Sequence, residues 1–296
     1  AVDDGHEARL AAGDGWTVRA VLWRGGDAEV TVTAVTEELA TSVLACVTTE
    51  AAAERSVEDG RVTIGFWSHS PRRGPCRSAR MVGAGSWADI RGNYAADTAA
   101  AMDRLMAVTP AILTGRLILL YGPPGTGKTT VLRGLAREWL PWCETDCVLD
   151  PEALFADPGY LMEVTLGDDE GTGERWRLLL LEDCDELIGG GAKGTSGQAL
   201  SRLLNLSDGL LGQGRKVLVA ITTNEDIQAL HPAVIRPGRC LAQIEVGPLP
   251  APQASAWLGE ADHVTSAMTL ADLYARRNTA APISSVRPPE SVGLYL

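Results

Sequence analysis

The spacing of apolar and polar residues changes partway along this chain. Residues 16–23 and 29–35 alternate apolar and polar side chains on either side of a Gly-Gly-Asp sequence, which predicts a β-hairpin. Residues 37–54 place apolar side chains on one helical face, and residues 61–67 predict a further strand. We therefore expect a small α+β module over residues 1–85.

The second part of the chain alternates short apolar runs with helical segments. The runs at 117–121, 178–181 and 217–221 lack the alternation of a half-exposed strand. They predict an α/β fold in which a buried parallel sheet carries helices on both faces. We expect this core to span residues 86–247. Residues 248–296 begin with closely spaced prolines and predict a short helical lid followed by a tail.

A glycine-rich sequence joins the first of these strands to a helix. Residues 122–129 fit the pattern G-x-x-x-x-G-K-[ST], which binds phosphate when it follows a strand and opens a helix. The glycines let backbone N–H groups turn towards a phosphate, and the helix amino terminus adds the positive end of its dipole. Lys128 would reach the β- and γ-phosphates of a nucleotide, and the Thr129 hydroxyl would bind Mg²⁺. The residues predicted to hold the nucleotide here are Gly122, Pro123, Pro124, Gly125, Thr126, Gly127, Lys128, Thr129 and Thr130.

Two acidic residues follow the second buried strand. Glu182 and Asp183 come directly after the apolar run, where one carboxylate can hold Mg²⁺ and the next can orient an attacking water. By position Glu182 lies nearest the metal and Asp183 activates the water, although the usual order at such a site is Asp-Glu. The alternative is that Asp183 binds Mg²⁺ while Asp185 or Glu186 acts on the water.

Two further polar elements follow in the chain. Asn224 ends the third buried strand, and its amide can donate to the γ-phosphate or position the water. Arg236 and Arg239 lie in a turn twelve to fifteen residues later, counted from Asn224. A guanidinium there could grip phosphate oxygens on a neighbouring subunit as an arginine finger. The alternative is a surface turn with two solvated arginines.

Composition narrows the class of protein. The chain has 296 residues, 45% of them hydrophobic and 22% charged, which is ordinary for a globular protein. A net charge of −12 argues against a general nucleic-acid surface. No apolar run is long enough to span a membrane. The six cysteines show no CxxC pair, so we expect reduced thiols and a cytoplasmic location.

These features together resemble the AAA family of the AAA+ ATPases over about residues 86–250. Residues 122–129 look like its Walker A segment, and Asn224 looks like sensor 1. Glu182-Asp183 is similar to the inverted Walker B of the subgroup that contains the mitochondrial Rieske-protein translocase. Residues 232–239 resemble the second region of homology, whose finger positions match Arg236 and Arg239.

The resemblance also extends to the start of the core. Residues 86–92 look like the family's opening Trp-x-Asp-Ile-x-Gly, whose backbone flanks the adenine. This implies nucleotide contacts by Asp89, Ile90 and Gly92. The N-terminal segment is similar to an uncharacterised module that precedes such domains in actinobacterial proteins.

Some positions depart from the family pattern. His231 stands where the family usually has Asp, and Cys240-Leu241 replaces Phe-Asp. Residues 154–161 take the place of the pore loop, but their aromatic side chains come in a different order. Phe155 or Tyr160 therefore either lines a pore or packs in the core.

The resemblance implies a function. It predicts a Mg²⁺-dependent ATPase that works as a homo-oligomer, a hexamer-like ring, and remodels or translocates a protein client. Because Asp is one methylene shorter than Glu, the altered Walker B order changes the reach of the water-activating carboxylate. A second hypothesis is therefore a slowly hydrolysing, nucleotide-gated assembly switch. A third hypothesis is a P-loop kinase. The paired arginines and the lack of a visible acceptor site argue against it.

Overall fold

The structure of the chain is a computed structural model. This structure describes residues 2–3, 6–23, 28–51, 60–70, 74–166, 175–185, 216–226, 238–259 and 264–278.

The first sheet is antiparallel and contains the N-terminal strands. Its strands pair in chain order, and a helix packs on the last two of them. The β3–β4 pairing, in which Val18 lies opposite Val32, confirms the predicted hairpin. The predicted helix is also confirmed within the described residues. The elements are β1 (Val2–Asp3), β2 (His6–Gly13), β3 (Trp16–Trp23), β4 (Ala28–Ala34) and α1 (Glu37–Ala51).

The second sheet has seven strands in the order β11-β7-β10-β9-β8-β5-β6. All neighbours are parallel except the β5–β6 hairpin. The three apolar runs form β7, β9 and β10, so the predicted parallel sheet is confirmed. The strands are β5 (Arg61–Ser70), β6 (Gly74–Gly83), β7 (Leu117–Tyr121), β8 (Cys143–Val148), β9 (Trp176–Leu181), β10 (Val217–Thr223) and β11 (Cys240–Glu245).

Helices cover both faces of this sheet. Leu119 packs with Leu154 on one face, while Leu120 packs with Met102 and Leu135 on the other. The last two helices form a small separate core that includes Leu273, as expected for a short lid. None of the helices in the described ranges is long and apolar enough to cross a membrane. The helices are α2 (Trp87–Ile90), α3 (Ala96–Met106), α4 (Lys128–Glu138), α5 (Pro151–Ala156), α6 (Pro158–Leu166), α7 (Ala251–Leu258) and α8 (Leu270–Asn278).

A buried carboxylate joins the β5–β6 hairpin to the central sheet. Asp146 on β8 is fully buried and accepts hydrogen bonds from Trp67 Nε1 at 3.2 Å and from Arg77 Nη2 at 2.7 Å. Arg177 Nη1 lies 3.8 Å from the same carboxylate. These partners compensate the cost of burying the charge. The boundary proposed after residue 85 stays a prediction, and the central sheet takes strands from both sides of it.

The two aromatic residues in the predicted pore-loop segment lie in the core. Phe155 is 8% exposed and Tyr160 is 1% exposed, and both pack against β7 and β9 residues. The core-packing alternative is therefore confirmed for both side chains.

Candidate nucleotide-binding site

The phosphate loop, residues 122–129, connects the carboxyl end of β7 to the first turn of α4. Gly122 and Gly127 have φ values of 137° and 94°, which favour glycine. A Cβ at Gly122 would lie 2.5 Å from the Val246 carbonyl oxygen. The loop can therefore take this path beside β11 only because glycine occupies that position.

The Lys128 side chain lies inside this loop. Its Nζ donates to the carbonyl oxygens of Gly122 and Pro123 at 2.7 and 3.0 Å, and to Asn224 Oδ1 at 2.7 Å. Burial lowers the pKa of Lys128, an effect that the carboxylates of Asp183 and Asp185 oppose. Phosphate oxygens have the same acceptor chemistry as these partners, so the site fits a phosphate group.

Two predicted magnesium ligands meet at the mouth of the loop. Thr129 Oγ1, in the first turn of α4, donates to Glu182 Oε2 at 2.5 Å. A hydroxyl and a carboxylate are oxygen ligands of the kind that Mg²⁺ takes alongside phosphates and waters. Within the described ranges, no group of three His, Cys, Asp or Glu side chains could form a metal cage by itself. The pair could therefore supply two oxygen ligands to a magnesium ion.

Asp183 lies beside this pair in an unusual backbone conformation. Its φ is +53°, a left-handed value for a non-glycine residue, and its N–H donates to Thr222 Oγ1 at 3.0 Å. Its side chain is exposed. The next residue, Cys184, is buried, and burial raises its pKa to about 12. The Cys184 thiol thus stays protonated near neutral pH in the interior, whereas the Asp183 side chain faces solvent.

Asp185 forms a cluster with the end of β10. It accepts hydrogen bonds from Thr223 Oγ1, the Asn224 backbone N–H and Asn224 Nδ2 at 2.7, 2.6 and 2.8 Å. Burial by itself would raise the pKa of Asp185, but these hydrogen bonds and the charge of Lys128 outweigh it and lower the pKa. Sequence reasoning considered Asp185 only as an alternative water-activating group and missed the role of Thr222 and Thr223, although both directly precede Asn224.

Two segments outside the phosphate loop contact it, one before β7 and one after β11. Tyr94 is buried, which raises its pKa, and its hydroxyl donates to the Gly127 carbonyl at 3.0 Å. The Ala271 N–H, at the start of α8, donates to the Gly125 carbonyl at 2.9 Å. Sequence reasoning missed both contacts. Only the position of Tyr94, two residues after Gly92, could have suggested one of them.

The residues predicted to flank the adenine lie around α2. Asp89 accepts a hydrogen bond from Ser86 Oγ at 2.5 Å, and Ser86 caps the helix. Ile90 packs closely on α4, where a Cβ at Gly134 would lie 2.9 Å from Ile90 Cδ1. Gly92 is exposed in the following 3₁₀ turn. Their nucleotide contacts stay a prediction.

The remaining loop residues complete the local hydrogen bonding. Thr126 Oγ1 donates to the Pro123 carbonyl at 2.9 Å, and Thr130 Oγ1 accepts from Arg133 Nη2 at 3.5 Å. Pro124 is exposed at the tip of the loop. The Thr126 contact, together with a hydrogen bond from the Gly122 N–H to the Thr223 carbonyl at 3.2 Å, helps to hold the loop in its curved form.

Arg239 lies at the opposite end of the sheet. Its carbonyl accepts hydrogen bonds from Arg116 and Leu117 N–H groups at the amino end of β7, at 2.9 and 3.0 Å. The phosphate loop follows the carboxyl end of the same strand, roughly 16 Å away for five residues at about 3.3 Å each. The structure therefore does not bring Arg239 together with Lys128. Arg236, His231 and Glu186 lie outside the described residues.

A cavity lies at that same end of the sheet. It measures about 450 Å³ and is lined by residues that include Arg116, Trp176 and Arg239. The Arg116 guanidinium lies over the Trp176 ring, 5.1 Å from its centre. Among the described residues, this end of the sheet therefore carries a cavity rather than closely packed side chains.

Comparison with known proteins gives two family matches. Residues 118–248 match the family described as "ATPase family associated with various cellular activities (AAA)". Residues 1–107 match a "Domain of unknown function (DUF5925)". The predicted resemblance of the core is confirmed, and so is an uncharacterised module ahead of it. The finer likeness to the translocase subgroup stays a prediction.

Several known proteins are similar to part of this chain. ATPase family gene 2 protein homolog B from Bos taurus is 35% identical over 139 residues, which are 45% of this chain and 18% of that protein. Protein SAV from Sulfolobus acidocaldarius is 33% identical over 135 residues, 44% of this chain and 17% of that protein. A cell division cycle protein 48 homolog from Archaeoglobus fulgidus is 30% identical over 138 residues, 44% and 18%. The matched part is less than a fifth of each relative.

Proposed function

Because residues 118–248 form an AAA ATPase domain, we propose that this chain hydrolyses ATP with Mg²⁺ as a homo-oligomeric, hexamer-like ring that remodels or translocates a protein. One observation carries the proposal: three strand ends bring Lys128, Glu182 and Asn224 together around the phosphate loop. A cytoplasmic location belongs to the same proposal and is supported by six cysteines that are all free thiols.

Each residue of this cluster has a task in the proposed reaction. Lys128 exchanges its carbonyl and Asn224 partners for the β- and γ-phosphate oxygens. Thr129 and Glu182 would hold Mg²⁺, which neutralises charge that develops on the phosphates. Asp183, exposed beside them, orients the attacking water. Asn224 faces the same space from the neighbouring strand and fixes the position of the water or the γ-phosphate.

The position of Arg239 supports the ring. The Arg239 backbone lies at the amino end of β7, roughly a strand length from its own phosphate loop by the rise of about 3.3 Å per residue. In a head-to-tail ring the amino edge of one subunit can face the nucleotide of the next. Arg239, and Arg236 beside it in sequence, would then stabilise transition-state charge on the neighbour's nucleotide.

A slowly hydrolysing assembly switch is the second candidate. The observation that favours it is Asp183, which is a short side chain at the position of the water-activating carboxylate and has a left-handed backbone. Such a switch would bind ATP and change its assembly state while turning over slowly. Measured turnover and its dependence on neighbours separate the two candidates.

The test uses the dependence of turnover on protein concentration. For the ring, ATP turnover per subunit rises with concentration, and Arg239→Ala lowers it by a factor on the order of 10³ while ATP affinity is kept. Arg80→Ala, which removes an exposed arginine from β6, is the matched control. Mixing Arg239→Ala with Lys128→Ala should restore part of the activity, because an intact loop and an intact arginine then meet at some interfaces.

Three outcomes would contradict one or both candidates. The ring would be eliminated if the chain stays monomeric with Mg²⁺ and a slowly hydrolysed ATP analogue and its turnover does not vary with concentration. Assembly driven by the analogue with negligible turnover would favour the switch. Undiminished ATP affinity in Lys128→Ala would remove the basis of both candidates.

A further inference from the structure

Asp185 lies at the centre of the hydrogen bonds that hold Asn224. Its Oδ1 accepts from Thr223 Oγ1 at 2.7 Å and from the Asn224 backbone N–H at 2.6 Å, and its Oδ2 accepts from Asn224 Nδ2 at 2.8 Å. Both carboxylate oxygens therefore face β10. A side chain used in this way is not placed to draw a proton from a water in front of the phosphate loop.

The same contacts decide which way the Asn224 amide points. An ionised carboxylate only accepts hydrogen bonds, so it selects the NH₂ group of the amide as its partner. The Asn224 Oδ1 then faces the loop, where it accepts from Lys128 Nζ at 2.7 Å. Without Asp185, the amide could turn over or change rotamer, and its two ends would no longer be distinguished.

Asp183 differs from Asp185 in every one of these respects. Its side chain is exposed, and its backbone N–H is held by Thr222 Oγ1 at 3.0 Å. The two carboxylates are two residues apart, yet one faces solvent at the mouth of the site and the other faces the neighbouring strand. The two threonine hydroxyls hold the two acidic residues in these different positions: Thr222 accepts from the Asp183 backbone, and Thr223 donates to the Asp185 carboxylate.

We infer that Asp185 is a positioning residue for ATP hydrolysis: it fixes the orientation of the Asn224 amide and leaves activation of the water to Asp183. The inference rests on the proposed ATPase function. On geometry it assigns the water to Asp183 rather than to Asp185; Glu186, the other alternative, lies outside the described residues. Asp185 acts through Asn224 and not on the substrate, so its effect must disappear when Asn224 is absent.

The experiment is a double-mutant cycle on the full chain. Asp185→Asn should lower kcat by about ten- to a hundredfold, the equivalent of losing a hydrogen bond to a charged group. The KM for ATP should stay within about twofold, because the loss falls mainly on the transition state. In an Asn224→Ala background, Asp185→Asn should lower kcat no further. Asp183→Asn should still lower kcat in that background.

Controls separate positioning from loss of structure. Glu225→Gln changes an exposed carboxylate next to Asn224 and should leave kcat and KM within about twofold of the starting protein. Thr223→Val removes one donor to Asp185 and should lower kcat in the same direction by a smaller factor. It provides the same cycle with Asn224→Ala if Asp185→Asn does not fold, as judged by thermal unfolding.

The outcomes distinguish this inference from the proposed function. If the starting protein binds ATP but shows no turnover, the ATPase proposal fails. If it turns over ATP and Asp185→Asn has its full effect in the Asn224→Ala background, Asp185 acts on the substrate directly and the inference is overturned. If Asp185→Asn lowers kcat when Asn224 is present but not in the Asn224→Ala background, the inference is supported.

Discussion

The two parts of the N-terminal segment differ in what they pack against. Strands β1–β4 form a sheet of their own, which buries Val18 and Val21 but leaves Leu10 81% exposed. Strands β5 and β6 instead join the sheet that carries the phosphate loop. On β5, Val62 and Ile64 are only 2% and 3% exposed. A segment matched as one domain of unknown function therefore has two different physical relations to the ATPase core.

The hairpin protects the edge of the ATPase sheet. β5 pairs with β8 from Gly65 to Trp67, so β8 does not present an open edge. At its end, the Trp67 carbonyl accepts from the Leu149 N–H at 3.0 Å. His69 Nε2 then lies 3.5 Å from Asp157 Oδ2, between α5 and α6. The hairpin is therefore part of the sheet that carries the phosphate loop, whereas β1–β4 form a sheet of their own.

The largest expected effect comes from removing the buried carboxylate that joins the hairpin to β8. Asp146→Ala leaves Arg77 and Arg177 without their shared carboxylate and Trp67 Nε1 without an acceptor. We expect the free energy of unfolding to fall by about 3 kcal/mol, as for a buried pair that loses one partner. Chemical denaturation measures this.

The matched control for this change lies on the first sheet. Leu10→Thr alters an exposed strand position and should change the unfolding free energy of the ATPase unit by less than about 0.5 kcal/mol. Equal losses from Asp146→Ala and Leu10→Thr would mean that the two parts of the N-terminal segment are not energetically distinct.

A smaller effect is expected where the hairpin passes over Asp146. A Cβ at Gly65 would lie 2.0 Å from Asp146 Oδ1 and 2.5 Å from Arg77 Nη2. Gly65→Ala should therefore cost about 1–3 kcal/mol of unfolding free energy through overpacking. Gly83→Ala on the same hairpin is the control, since a Cβ there meets no atom within 4 Å. If Gly65→Ala and Gly83→Ala lower the unfolding free energy equally, the close packing at Gly65 does not stabilise the contact between the hairpin and β8.

The smallest effect concerns the contact between the hairpin and α6. Asp157 Oδ1 accepts from the Gly159 N–H at 2.8 Å, which caps the helix, while Oδ2 faces His69. Asp157→Ala should cost about 1 kcal/mol through loss of the cap. Asp157→Asn keeps a capping side chain and loses only the half-exposed contact between the carboxylate and His69, a loss of about 0.5 kcal/mol or less.

Thermal unfolding at two salt concentrations separates these contributions. With His69 protonated, the difference between Asp157→Asn and the starting protein should shrink at high salt, because salt then screens its pair with the Asp157 carboxylate. A salt-independent difference would show that the hairpin and α6 are joined by packing, such as the His69–Tyr160 ring contact at 5.2 Å, rather than by charge.

The central strands and the phosphate loop could be predicted because their signals are local. Uninterrupted apolar runs identify β7, β9 and β10, and a contiguous sequence specifies the loop. β8 could not be predicted in this way, because Glu144 and Asp146 interrupt its apolar pattern. Burial of Asp146 on β8 depends on Arg77 of the β5–β6 hairpin, which is 69 residues away in sequence.

The candidate site is already visible in the sequence as a glycine-rich loop with Lys128 and Thr129, two acidic residues after one strand and Asn224 after another. Such features depend on residue type and short spacing, which are encoded contiguously. The three-dimensional arrangement was needed to show that Asp183 faces solvent, that Asp185 holds Asn224, and that the start of α8 contacts the loop. These depend on the order of strands in the sheet, because the carboxyl ends of neighbouring parallel strands meet regardless of their separation along the chain.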